Sequence, residues 1–147
     1  MSGSQSDKHE LEEGQSFTPR FDENGLIPVI CTDAASGVVL MFAWMNETAL
    51  HQSIETGKAW YWSRSRQKLW QKGETSGNTQ VIVDMRTDCD QDVVWITVQQ
   101  GGNAACHTGR KSCFYRRIEA NSAEDSSVQL TPVDAERLFN PDDIYKR

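Results

Sequence analysis

Two groups of metal-ligating side chains, separated by a short stretch of chain, constrain the fold of this sequence more than any other feature. The first group is the run Asp88-Cys89-Asp90-Gln91-Asp92, and the second consists of Cys106, His107 and Cys113. Thiolate and imidazole groups are ligands that zinc prefers, whereas clustered carboxylates suit a hard cation such as magnesium. The mixture of soft and hard ligands favours a metal-assisted reaction over a purely structural site.

The spacing of the thiols requires the chain to turn back on itself. The turn formed by residues 100–103 lies between the two groups and can bring Cys106 towards Cys89. Three thiolates and one imidazole would complete a tetrahedral zinc site, whereas three thiolates and a water would leave a catalytic position open. Both arrangements are open at this point. The fourth cysteine, Cys31, lies in a predicted strand and is interpreted as a small buried hydrophobic residue.

The three carboxylates of the first group alternate along the chain. In a straight strand, neighbouring members of this set would be about 7 Å apart, so one ion reaches all three only if the backbone curves. The same spacing begins an EF-hand loop, but Val93 stands where that loop needs glycine and Gln99 where it needs glutamate. The sequence therefore predicts a hard-cation site of another kind, with a solvated acidic turn as the alternative.

A cationic and aromatic segment, residues 58–72, predicts a second site. It carries five cations and no acid, although the whole chain has a net charge of −6. The cations and aromatic residues are Lys58, Arg64, Arg66, Lys68, Lys72, Trp60, Tyr61, Trp62 and Trp70. Arginine binds phosphate through paired hydrogen bonds, and an aromatic ring can stack on a base. A phosphorylated nucleotide fits this composition. A basic strand edge and a single-stranded RNA site are the alternatives, and the net negative charge argues against RNA.

The loop at residues 73–78 follows this segment directly. Its glycines and small polar residues can present backbone N–H groups to an anion. Glu74 is the one acid in this region, and it can serve as an acid or base or contact a substrate hydroxyl.

Strand and turn signals predict a mainly β domain with one helix. The predicted strands are residues 28–32, 38–45, 59–63, 79–85, 93–98 and 112–118. The turn at 33–37 joins the first two as a hairpin, and the helix begins at its cap Asn46 and ends at Gly57. We expect a disordered N-terminal arm over 1–15, a single domain over 16–118, and a loosely docked C-terminal tail over 119–147.

Charge and hydropathy argue against nucleic-acid-binding, membrane-spanning and secreted classes of protein. The acidic balance disfavours a nucleic-acid partner, and the longest apolar run, residues 38–45, is far shorter than a membrane span. The polar N-terminus lacks the apolar region of a secretory signal, so we expect a cytoplasmic protein with reduced cysteines. His9 and His51 are assigned no role.

Four motifs in the same order carry a resemblance to a known family. They are Trp62-Ser63-Arg64-Ser65-Arg66, the run 69–78, the run 88–92 and Cys106-His107-Thr108-Gly109. Over about residues 26–116, the sequence resembles the phosphoribosyl-AMP cyclohydrolases of histidine biosynthesis. This resemblance implies hydrolytic opening of the adenine ring of 1-(5-phosphoribosyl)-AMP between N1 and C6.

The resemblance also implies an assembly. The fold would be a mainly β pseudobarrel of mixed strands in an intertwined homodimer. Zinc would be held by Cys89 of one subunit and by Cys106 and Cys113 of the other. Magnesium would be held by Asp88, Asp90 and Asp92.

The expected roles of the remaining residues complete the prediction. His107 would shuttle protons between an attacking, zinc-activated water and N1 of the substrate. The residues expected to bind substrate are Arg64, Ser65, Arg66, Lys72, Glu74 and Ser76. The alternative from another functional class is a zinc-stabilised binding module without catalysis, in which protein ligands would fill all four zinc positions.

Overall fold

The computed structural model describes residues 5–103, 105–106, 109–119 and 128–133. The strands are β1 (Ile27–Asp33), β2 (Val39–Met45), β3 (Trp60–Ser63), β4 (Lys68–Gln71), β5 (Gln80–Thr87), β6 (Val94–Gln100), β7 (Arg116–Ile118) and β8 (Leu130–Pro132). The helices are α1 (Gln5–Glu13), α2 (Glu47–Thr56) and a short 3₁₀ turn (Gly101–Asn103). Within these ranges, neither α-helix is long and apolar enough to cross a membrane.

A four-stranded sheet in the order β2-β1-β6-β5 forms the centre of the fold. The predicted hairpin is confirmed, because β1 pairs antiparallel with β2 through the turn after Asp33. β1 pairs with β6 in parallel, and β6 pairs with β5 in the antiparallel sense. The strands β3 and β4 form a separate hairpin, and β7 pairs with β8.

Alternation along the strands separates a buried face of the large sheet from an exposed one. Val29 and Cys31 on β1 are fully buried and belong to the core, which also includes Leu50 of α2 and Tyr61 of β3. The intervening Ile30 points the other way, as a period of two requires. Ile30 pairs with Phe42 on β2 and with Trp95 on β6, and all three side chains are exposed. We call these three residues the outer apolar row.

The predicted helix is confirmed as α2, with the caps that the sequence indicates. The Asn46 side chain accepts a hydrogen bond from the backbone N–H of Ala49 at 2.8 Å, and Gly57 adopts a left-handed φ of 71°. The buried Ser53 hydroxyl accepts a hydrogen bond from the Trp60 backbone N–H at 2.9 Å. This contact joins the helix to β3 and so fixes the start of the cationic segment.

Four predictions differ from the structure. The sequence indicates one α-helix and a disordered arm, whereas α1 occupies residues 5–13. Its apolar content is low, but the Gln91 side chain donates a hydrogen bond to the Leu11 carbonyl in the helix and accepts one from the Thr18 N–H after it. The strand β4 was missed because its four residues are too short a run to show an alternating pattern. Of the predicted strand at 112–118, only β7 is extended and paired. The described strands lie in separate sheets of four, two and two strands, so the predicted pseudobarrel is not confirmed.

Candidate functional site

A cleft of about 480 Å³ opens between β2, the β3–β4 hairpin and the loop that follows β4. Five of the six predicted substrate-binding residues line it: Ser65, Arg66, Lys72, Glu74 and Ser76. The aromatic residues Trp62 and Trp70 and the predicted zinc ligand Cys113 line the same cleft. The cationic segment and one part of the thiol group are therefore brought together, although they are distant in sequence.

The β3–β4 hairpin presents its cationic residues at the tip. Ser63 pairs with Lys68 at the end of the ladder, and the four residues between them form the turn. The Ser63 hydroxyl accepts the Arg66 backbone N–H at 3.2 Å, and the Gln67 amide donates to the Arg64 carbonyl at 2.7 Å. These bonds order the backbone of the turn and leave the Arg66 side chain exposed at the cleft.

The remaining predicted substrate residue, Arg64, lies outside this cleft. Its guanidinium stacks over the Trp44 ring, 4.7 Å from the centroid, and the residue lines a neighbouring cleft with Asn24 and Gln67. Stacking on an aromatic face holds a guanidinium in place without using its hydrogen-bonding edge.

The loop after β4 depends on one glycine. Gly73 has a φ of +92°, and a Cβ on it would collide with the backbone of Thr79. The N–H of Gly77 returns to the Gly73 carbonyl at 2.8 Å, which closes the loop around Glu74 and Ser76. A side chain at position 73 would therefore displace two residues of the cleft.

Lys72 is buried, unlike a lysine that meets phosphate at the protein surface. Only 8% of the residue is exposed, and its ammonium donates to the backbone carbonyl of Ala105 at 2.5 Å. Burial lowers the pKa of Lys72, and the nearby thiols of Cys113 and Cys106 oppose that shift. The ammonium thus joins the substrate cleft to the loop that carries the thiols, while its predicted contact with phosphate stays a prediction.

The thiols of Cys106 and Cys113 lie next to each other. A hydrogen bond between them, and then partial desolvation, raises the pKa of Cys113 well above its ordinary value, so this thiol stays protonated without a cation. A bound zinc ion would reverse this preference, because zinc deprotonates the thiols that coordinate it. The backbone N–H of Cys113 donates to the Leu40 carbonyl at 2.7 Å, which fastens this loop to β2.

Cys89 lies apart from that pair within one chain. It is exposed, in the turn between β5 and β6. Across the described residues, the three thiols do not gather into a group able to hold a metal ion. Two of the three predicted zinc ligands are therefore neighbours in one chain and the third is not. Cys31 is fully buried as expected, and burial raises the pKa of its thiol to about 12.

Asp88, Asp90 and Asp92 come together at the exposed turn that carries Cys89. One carboxylate oxygen from each lies within 4.8 Å of the others. The curvature that this requires is present, because Gln91 has a φ of 57° and the Asp92 N–H donates to the Asp88 carboxylate at 3.2 Å. Partial desolvation, followed by the charges of Asp88 and Asp90, raises the pKa of Asp92. Three converging carboxylates fit a hard divalent cation.

Comparison with known proteins agrees with this geometry. The family model for phosphoribosyl-AMP cyclohydrolase matches residues 41–115. The phosphoribosyl-AMP cyclohydrolase of Bradyrhizobium diazoefficiens is 63% identical over 139 residues, which cover 95% of this chain and 96% of the relative. That of Nitrobacter winogradskyi is 57% identical over 146 residues, covering 99% and 98%. The chain belongs to the phosphoribosyl-AMP cyclohydrolase family. The resemblance read from the four motifs is thereby confirmed, and the chain is an enzyme of this family.

The region matched by the family model contains all the predicted ligands and substrate residues. His107, the predicted proton shuttle, lies outside the described residues, so its position stays a prediction. Most of the predicted C-terminal tail also lies outside them. No structural role was predicted for Gln91, which is buried within the acidic run. Its only signal was the presence of one uncharged polar residue among the carboxylates.

Proposed function

We propose that this chain hydrolyses the N1–C6 bond of the adenine ring of 1-(5-phosphoribosyl)-AMP in histidine biosynthesis. The observation that carries this proposal is the cleft that collects five predicted substrate residues beside Cys113. Membership of the cyclohydrolase family supplies the reaction, and the cleft supplies a surface of suitable chemistry for a phosphorylated nucleotide. Reduced thiols as metal ligands suit a cytoplasmic enzyme.

Different residues of the chain bind different parts of the substrate. Arg66 at the hairpin tip binds a phosphate, and Trp62 and Trp70 offer apolar faces for the base. Glu74, held in the loop after β4, contacts a ribose hydroxyl. Lys72 positions the thiol loop through the Ala105 carbonyl. Arg64 reaches the second phosphate only if it leaves its stacked position on Trp44.

Zinc would be held by Cys89, Cys106 and Cys113, and it supplies an acidified water with a pKa of about 7 when bound. The reaction adds the oxygen of water to C6 and breaks the bond from C6 to N1. Substitution at N1 gives the ring a positive charge, which makes N1 a good leaving group. His107, next to Cys106 in sequence, delivers the proton that N1 requires.

A second copy of the chain would complete this site. The separation of the exposed Cys89 from Cys106 and Cys113 within one chain supports a zinc site that takes thiols from two subunits. The outer apolar row, with Phe42 47% and Trp95 42% exposed, offers a surface for a subunit contact. Magnesium would be held by the three carboxylates beside Cys89, close to the same interface.

A turnover assay with defined metal content tests the proposal. The purified protein is incubated with 1-(5-phosphoribosyl)-AMP, and product absorbance is followed with zinc and magnesium, after chelation, and after zinc is restored. We expect turnover that is lost with the chelator and regained with zinc. Arg66→Ala should weaken substrate binding, whereas Arg117→Ala, on the exposed strand β7, serves as the matched control. Substrate binding without turnover at full zinc content would instead favour a binding module.

A further inference from the structure

Gln91 connects the acidic turn to the N-terminal segment of the chain. The residue is only 4% exposed, although both of its neighbours in sequence are exposed aspartates. Its side-chain amide donates to the carbonyls of Leu11 at 2.9 Å and Ser16 at 3.2 Å. Its side-chain carbonyl accepts the Thr18 N–H at 2.6 Å. One side chain therefore binds three points of the segment 5–20. We use the name N-terminal arm for this segment, which includes the described part of the predicted arm (1–15) and continues to Arg20.

The backbone of Gln91 adds to this attachment and also shapes the acidic turn. Its carbonyl accepts the Arg20 N–H at 2.8 Å, and its own N–H donates to the Asp88 carbonyl at 3.1 Å. Its φ of 57° lies in the left-handed region, which carries a conformational cost for a residue with a Cβ. The contacts with the arm offset that cost and hold the corner at which the backbone brings the carboxylates together.

The electrostatics of the arm make this attachment sensitive to a cation. The α1 helix carries several acids, and Glu12 lines the same cleft as Asp88 and Cys89. The carboxylates of the arm outnumber its two cations, Lys8 and Arg20, so repulsion by the carboxylates of the turn opposes docking. A divalent cation held by the turn removes much of that repulsion.

We propose that Gln91 is a positioning residue that couples docking of the N-terminal arm to divalent-cation binding by Asp88, Asp90 and Asp92. This inference rests on the proposed function, in which the three carboxylates hold a divalent cation. It adds the N-terminal arm, which lies before the region matched by the family model. Coupling between two binding events is reciprocal. The docked arm raises the affinity of the acidic turn for the cation, and the bound cation raises the equilibrium constant for arm docking by the same factor.

The test uses the full-length, zinc-loaded protein with Mn²⁺ as the probe. Mn²⁺ affinity is measured by electron paramagnetic resonance, and arm docking by amide hydrogen exchange at residues 16–20 with and without Mn²⁺. Gln91→Met removes the polar contacts without changing charge. Gln91→Asn tolerates the left-handed backbone but is too short to reach the arm. We expect both substitutions to raise the Mn²⁺ dissociation constant about tenfold, within the usual range of coupling. Gln99→Met, on an exposed position of β6, is the matched control.

The outcomes separate this inference from its alternatives. Mn²⁺ affinity within twofold of the parent in both variants, with the arm released, would show that Gln91 anchors the arm only, and the coupling would be wrong. Circular dichroism and zinc content show whether Gln91→Met folds. If it does not, the coupling is tested by the Mn²⁺ affinity of Gln91→Asn and by the arm protection of the parent protein. Arm protection that does not change with Mn²⁺ in the parent overturns the proposal. Because neither readout needs turnover, coupling in a protein without cyclohydrolase activity would contradict the proposed function alone.

Discussion

Mixed dimers of two inactive variants test whether zinc is shared between subunits. Cys89→Ser and Cys106→Ser each remove one predicted ligand, so each variant should be inactive on its own. Within one chain Cys106 lies beside Cys113, whereas Cys89 does not join them. If each zinc takes Cys89 from one subunit and the other two thiols from its partner, a mixed dimer has one intact site and one site with both lesions.

The expected recovery of activity follows from this sharing of zinc ligands between two subunits. Random exchange of equal amounts makes about half of the dimers mixed, and each of these carries one active site of two under two-fold symmetry. Activity should therefore rise from the background to about a quarter of the parent value. Zinc content should recover in parallel, because metal binding and completion of the site are the same event.

The assay unfolds the two variants together, refolds them with zinc and measures turnover of 1-(5-phosphoribosyl)-AMP. Different affinity tags on the two variants allow mixed dimers to be isolated and counted. The pair Cys106→Ser and Cys113→Ser is the control, because both ligands come from the same subunit and no mixed dimer contains an intact site. Isolated mixed dimers of Cys89→Ser and Cys106→Ser that stay inactive would refute the shared site.

Five substitutions separate the roles of the remaining residues. Asp92→Asn should weaken Mn²⁺ binding and leave zinc content unchanged by elemental analysis, because oxygen ligands suit the harder ion. Arg66→Ala should raise KM at nearly constant turnover and by more than Arg64→Ala does, because only Arg66 lines the cleft. Lys72→Met should lower stability in a denaturant titration by about 1.5–3 kcal/mol, the usual value of a charged hydrogen bond. His107→Ala should lower kcat by about 100-fold while substrate binding is retained.

The sequence predicted those features that depend on local patterns. The caps Asn46 and Gly57 are local signals, so the helix between them was predicted from residues within one turn of each end. The hairpin of β1 and β2 likewise depends on a turn with strong signals. Arg66 and Lys72 of the cleft were predicted because cations and aromatic residues alternate over one short segment, whereas Ser65 and Ser76 followed from the family resemblance.

The features that were missed depend on contacts between distant parts of the chain. The arm around α1 has little apolar content, and its order reflects hydrogen bonds to Gln91, far along the sequence. The direction of the Lys72 ammonium is set by burial against Ala105, which no local pattern encodes. The turn at residues 100–103 does not gather Cys89 with Cys106 and Cys113 in one chain, although its position suggested this; their separation agrees with the shared site that the family resemblance implies.

The parallel pairing of β1 with β6 has a consequence for how the chain folds during synthesis. Val29 pairs with Val94, so the centre of the large sheet cannot form until most of the domain has been made. At about 5–20 residues per second, the ribosome releases β6 several seconds after β1. Throughout that interval the β1–β2 hairpin has an unpaired edge, which is a template for aggregation. Such non-local pairing favours slow folding, on the order of milliseconds to seconds once the chain is complete.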